Sequence, residues 1–93
     1  MVVISDIKRL VEGFSSGEVD YFSLSLSSGL VVSAGEFASM LSGYTLEYVD
    51  SYYDPPIFVY VRRKGECAKY VEASLKKDVL TFVKAYMVSC YTV

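Results

Sequence analysis

Residues 74–86, SLKKDVLTFVKAY, decide how many helices the fold carries. Leu75, Val79, Phe82, Val83 and Tyr86 fall on one side of a 3.6-residue repeat, while Lys76, Lys77, Thr81 and Lys84 fall on the other. Ser74 stands where a capping hydroxyl would accept from the first free amides. The pattern predicts a long amphipathic helix. The tail from Met87 to Val93 either extends it or runs as an extended edge segment, an alternative that Val88, Thr92 and Val93 keep open.

Working back from that helix, three strands come in succession. Residues 44–53 are rich in aromatic and β-branched side chains, Asp54-Pro55-Pro56 imposes a break, and residues 57–62 resume. Arg63-Lys64-Gly65-Glu66 is a tight turn from which residues 67–73 pair back. Before them, Ser33 and Glu36 form a capping box that starts a short helix over 34–42, ended by Gly43. Alternation over 18–27 marks a strand with a bulge near Tyr21 and Phe22, which Ser28-Gly29 turns into a second strand over 30–32. Ile4, Ile7, Leu10, Val11 and Phe14 repeat with helical spacing, so a first helix is expected over 6–15 with Ser5 as its cap and Asp6, Lys8, Arg9 and Glu12 in water. The expectation is one α+β domain over residues 1–93. It would have an antiparallel or mixed sheet of four to five strands, with two longer helices and one short helix chiefly on one face.

Composition sets the function classes. The chain has 93 residues, 53% hydrophobic and 22% charged, enough apolar surface for one core. No stretch approaches the roughly 20 apolar residues of a bilayer span, since Tyr21–Gly35, though free of charge, is broken by serines and glycines. The first residues lack the basic and long apolar regions of a secretory signal, which points to an intracellular, cytoplasmic protein. Asn, Gln, His and Trp are all missing. Scarcity of the hydrolysable amides fits life at high temperature.

Absence of histidine removes the commonest general base and metal ligand, and two distant cysteines offer no zinc spacing. No cofactor or metal is implied. Glu18 with Asp20 and Glu47 with Asp50 are close in sequence, but eleven acids in so short a chain make such neighbours ordinary. Neither Ser27-Ser-Gly-Leu nor Ser33-Ala-Gly-Glu has the spacing or lysine of a phosphate loop. The chain reads as a non-enzyme.

Cys67 and Cys90 are either buried thiols or a disulfide. A strand over 67–73 rises about 20 Å. A helix from Leu75 to Cys90 returns about 22 Å, so the two sulfurs can meet. Closing that loop would restrict the unfolded chain by roughly 3 kcal/mol.

Two surfaces suggest binding. Tyr44, Tyr48 and Tyr52 share one face of the expected strand, with Tyr53 and Tyr60 nearby, and tyrosine offers wide contact area at low entropic cost. Arg62, Arg63, Lys64, Lys76 and Lys77, with Lys69 between them, form a basic set able to neutralise phosphates. Charge is divided along the chain, with eight acids and two bases in residues 1–54 and three acids and seven bases in residues 55–93. Asp50 and Asp54 on the tyrosine face would repel phosphate. A protein partner, or a second copy in a homo-oligomer, therefore leads, and nucleic-acid binding through the basic set is the alternative. No membrane partner and no small-molecule substrate is inferred.

In overall style, as a short Tyr-, Val- and Ser-rich chain free of amides and histidine but holding a cysteine pair, the sequence resembles the small proteins of hyperthermophilic archaeal viruses. That resemblance implies expression in an archaeal host and a role modulating host or viral machinery.

Overall fold

The computed structural model describes residues 2–88 and shows a five-stranded antiparallel sheet with one longer and one short helix. The elements are α1 (Ile4–Ser16), β1 (Phe22–Val31), α2 (Ala34–Ser39), β2 (Thr45–Asp50), β3 (Ile57–Lys64), β4 (Cys67–Lys76) and β5 (Val79–Val88). Their order in the sheet is β1-β5-β4-β3-β2. The described helices lie below bilayer-crossing length and hydropathy.

The expected second long helix over 75–86 does not form, and the fold is dominated by sheet. Leu75 and Lys76 finish β4, the chain reverses at Lys77 and Asp78, and residues 79–88 return as β5. Both turn residues have positive φ, 52° and 60°, the conformation of a two-residue hairpin turn whose twist matches the strands. The helical spacing misleads because Leu80, Ala85 and Met87 fill the positions between, leaving an apolar run that either period can describe. Abundant β-branched residues and two long partners decide it in favour of sheet.

The expected hairpin at Ser28-Gly29 is also absent. Residues 22–31 form one edge strand paired to β5, with a register irregularity between Ser25 and Leu30. Gly29 sits there at φ +73°, and a Cβ on it would lie 2.6 Å from Val79 Cγ1, so the glycine serves a bulge and a close approach. After the strand, the Val32 amide donates to the Asp78 carbonyl at 2.9 Å and ties it to the β4–β5 turn.

The other departures are small. The first helix begins before Ser5, and the Asp6 carboxylate accepts from the Val3 amide at 2.9 Å. Ser33 caps α2 as read, its hydroxyl accepting from the Glu36 amide at 3.0 Å, but the helix stops at Ser39 rather than residue 42. Gly65, at φ +61°, turns β3 into β4, with Lys64 opposite Cys67. The loop after β2 contains a cis Asp54–Pro55 bond. The choice between thiols and a bridge for Cys67 and Cys90 turns on Cys90, which lies outside the described residues.

Both helices pack on one face of the sheet. Ile7, Val11 and Phe14 from α1 and Phe37 from α2 are fully buried against Phe22, Tyr60, Val71, Ala73, Val83 and Ala85. Register confirms that these sheet residues share a face, because Tyr60 stands opposite Val71, Val71 opposite Ala85, and Ala85 opposite Phe22. Phe14 meets Phe22 edge-on at 6.2 Å, and Phe37 meets Tyr60 at 5.8 Å. Such aromatic pairs add to the stabilisation from area burial.

Candidate functional site

Neither described helix covers the second face of the sheet. Alternation along each strand sends every second side chain there, and register assembles them into rows. One row runs Tyr48, Val59, Glu72, Lys84, Ser23, and the next runs Thr45, Val61, Tyr70, Tyr86. Val59 and Val61 are only 2% and 6% exposed despite the missing helix, whereas Tyr48 is 52% exposed. The long side chains beside the valines shield them, giving a low apolar floor between tyrosine walls.

The walls are held in place. Tyr70 and Tyr86 stack with centroids 5.4 Å apart and planes 12° apart. The Tyr86 hydroxyl donates to Glu72, and the Lys84 ammonium lies 5.3 Å from the Tyr86 ring centre. Across the sheet, Arg63 bonds Glu47 at 2.8 Å and reaches the Tyr70 hydroxyl at 3.5 Å. Burial, followed by the hydrogen bond and charge of Glu72, holds the Tyr86 phenol far above its usual range. Tyr48 is raised by partial removal from water and then by the carboxylates of Glu72, Asp50 and Glu47. Both phenols therefore stay neutral near pH 7, presenting rings and hydroxyls in a mildly acidic field. Surface ion pairs such as Arg63–Glu47 add little stability, but they restrict the rotamers that a partner would otherwise have to order.

The three tyrosines expected to share a strand face are separated. Tyr48 is on the helix-free face. Tyr44 precedes β2, packs against the helix-side core and shares a 2.9 Å hydrogen bond with Ser15 Oγ. Tyr52 projects from the loop after β2, 91% exposed, edge-on to Tyr53. A bulge between Leu46 and Tyr48 shifts the period-two phase, so spacing along the sequence did not report facing. Tyr70, Tyr86 and Glu72 were missed as members of this surface, although period-two alternation over 67–76 and 79–88 carries the signal.

The basic set is divided as well. Arg62, Arg63 and Lys64 stand at the β3–β4 turn, while Lys76 and Lys77 stand at the far end of β4, about 30 Å away for a ten-residue strand. Arg62 and Arg63 point to opposite faces, Arg63 is paired with Glu47, and Lys76 is paired with Asp54. No single basic stripe joins them. Among the described residues, no three acidic or cysteine side chains gather as a metal site would require.

Comparison of the chain with protein-family models, with curated proteins and with solved structures finds no match in any of the three.

Proposed function

We propose that this chain is a non-enzymatic binding module that acts inside the cell by contacting a protein partner, or a second copy of itself, through the helix-free face of its sheet. The observation that carries this reading is the pairing of a buried valine floor with partly exposed, conformationally braced tyrosines. Tyr48, Tyr70 and Tyr86 offer contact area with few rotatable bonds, and their hydroxyls satisfy polar groups at the rim. Asp50, Glu47 and Glu72 favour a partner that brings arginine or lysine to the Tyr48 side. Of the tyrosines proposed as contacts from the sequence, Tyr48 stays in this reading, Tyr44 leaves it, and Tyr52 lies at its loop margin. Dispersal of the basic set leaves the nucleic-acid alternative with less support.

The test compares the wild-type chain with Tyr48→Asp by sedimentation velocity and by retention of partner proteins on each immobilised chain. Loss of a dimer or of a retained partner in the variant supports the face. Association that survives Tyr48→Asp but disappears in Tyr52→Asp would remove it.

A further inference from the structure

On the opposite side of the sheet, α1 ends over the β3–β4 hairpin, leaving a depression of about 260 Å³ lined by Ser15, Ser16, Arg62, Lys64, Cys67 and Lys69. We propose that this depression binds a phosphoryl anion, either free phosphate or the phosphate of a nucleoside monophosphate. The proposal is independent of the protein-binding face and stands or falls separately from it.

Among the described residues, three cations line the depression and no acid does. Arg62 stands directly opposite Lys69 across the β3–β4 ladder, and Lys64 follows Arg62 by two positions, on the same side of the strand. Like charges placed directly across a ladder are destabilising, so their convergence calls for an opposite charge. Among the described residues, the ion pairs are Arg63 with Glu47 and Lys76 with Asp54, and neither uses Arg62 or Lys64.

Lys69 is already engaged. Its ammonium donates to the carbonyls of Phe14 at 3.0 Å and Ser15 at 3.2 Å, and lies 5.4 Å from the Phe14 ring centre. It thereby neutralises the negative end of α1, which would otherwise repel an anion. This makes Lys69 a positioning residue, and the donors left for a ligand are the Arg62 guanidinium and the Lys64 ammonium. Arginine's fork matches two phosphate oxygens at once. In the Ser15–Tyr44 contact either hydroxyl can donate. With Tyr44 donating, the Ser15 hydroxyl hydrogen turns to the depression as a further donor. The volume exceeds by several times the roughly 30 Å³ share of a water molecule, so a hydrated phosphate fits.

The full chain, labelled with nitrogen-15, is titrated with sodium phosphate against sodium chloride at equal ionic strength. Saturable amide shifts at Ser15, Ser16 and the 62–69 hairpin are expected with phosphate alone. Replacing Arg62→Ala and Lys64→Ala together should weaken binding about tenfold or more, because two charge-assisted hydrogen bonds are lost. Lys76→Ala with Lys77→Ala removes the same charge at the far end of the sheet and should leave affinity within about twofold. Arg62 and Lys64 are exposed, and a dispersed spectrum verifies that their double variant is folded. Adenosine monophosphate competing at the same amides supports the site and makes an esterified phosphate its source, while phosphate binding alone supports it with free phosphate as the source. Equal shifts with chloride, or equal weakening in both double variants, would overturn the proposal.

Discussion

The two faces of this sheet bury side chains by different means. On the helix side, α1 and α2 lay aromatic and aliphatic groups onto Phe22, Tyr60, Val71 and Val83, and the contact is buried throughout. On the other side, Val59 and Val61 are nearly as well hidden, but beneath tyrosines, an arginine and a glutamate that are themselves partly exposed. The first face stabilises the fold. The second keeps a few valines out of water while leaving polar-tipped rings available, so removing a side chain there should change association more than stability.

Substitutions at three positions sharpen or break that contrast. Phe37→Ala, at the centre of the helix side, should cost roughly 3–5 kcal/mol. Since that loss could unfold so small a domain, Phe37→Leu serves as the milder companion, and urea midpoints measure both. A loss below about 1 kcal/mol for Phe37→Ala would mean that α2 is not part of the core. Tyr86→Phe, on the helix-free side, should cost about 1 kcal/mol through the hydroxyl bond to Glu72. It should also act on alkaline stability. The Tyr86 phenol is raised in the folded state, so the unfolded chain loses this proton first, near pH 10, and its contribution is full below that pH and declines above it. Comparing urea midpoints at pH 8 and pH 11, the wild type should lose more than the variant; equal losses would place Tyr86 in water. Glu47→Gln breaks the exposed pair with Arg63 and should change stability by no more than about 0.5 kcal/mol. A larger change would show the wall of the tyrosine face to be structural.

Much of the local chemistry was legible in the sequence. The Ser33–Glu36 box, the Gly65 turn and the α1 repeat each announce themselves through a few adjacent residues whose physics is local. The contrast between α1 and β5 shows where legibility ends. Ile7, Val11 and Phe14 face Lys8, Arg9 and Glu12 across a helix, so one side alone is apolar and the period is unambiguous. In residues 79–88 both alternate sets are largely apolar, although only Leu80, Val83 and Ala85 on the helix side are buried, and spacing ceases to discriminate. The facing of the tyrosines was hidden because it depends on register and on a bulge. Tyr70 and Tyr86 become neighbours only through β4–β5 register, and the bulge at Glu47 moves Tyr48 out of phase with Tyr44. Arg62 stands on β3 beside the β3–β4 turn and Lys76 at the far end of β4, so the length of that strand divides the basic set.

Strand order has a consequence for how the molecule is made. The strands from β3 to β5 each join the one just before it, but among the described residues β1 pairs with β5 alone, and Phe22 stands opposite Ala85. A chain growing from the ribosome must therefore carry β1 unmatched until β5 has emerged, and pairings so distant in sequence form slowly. Closure of this sheet's far edge waits upon β5.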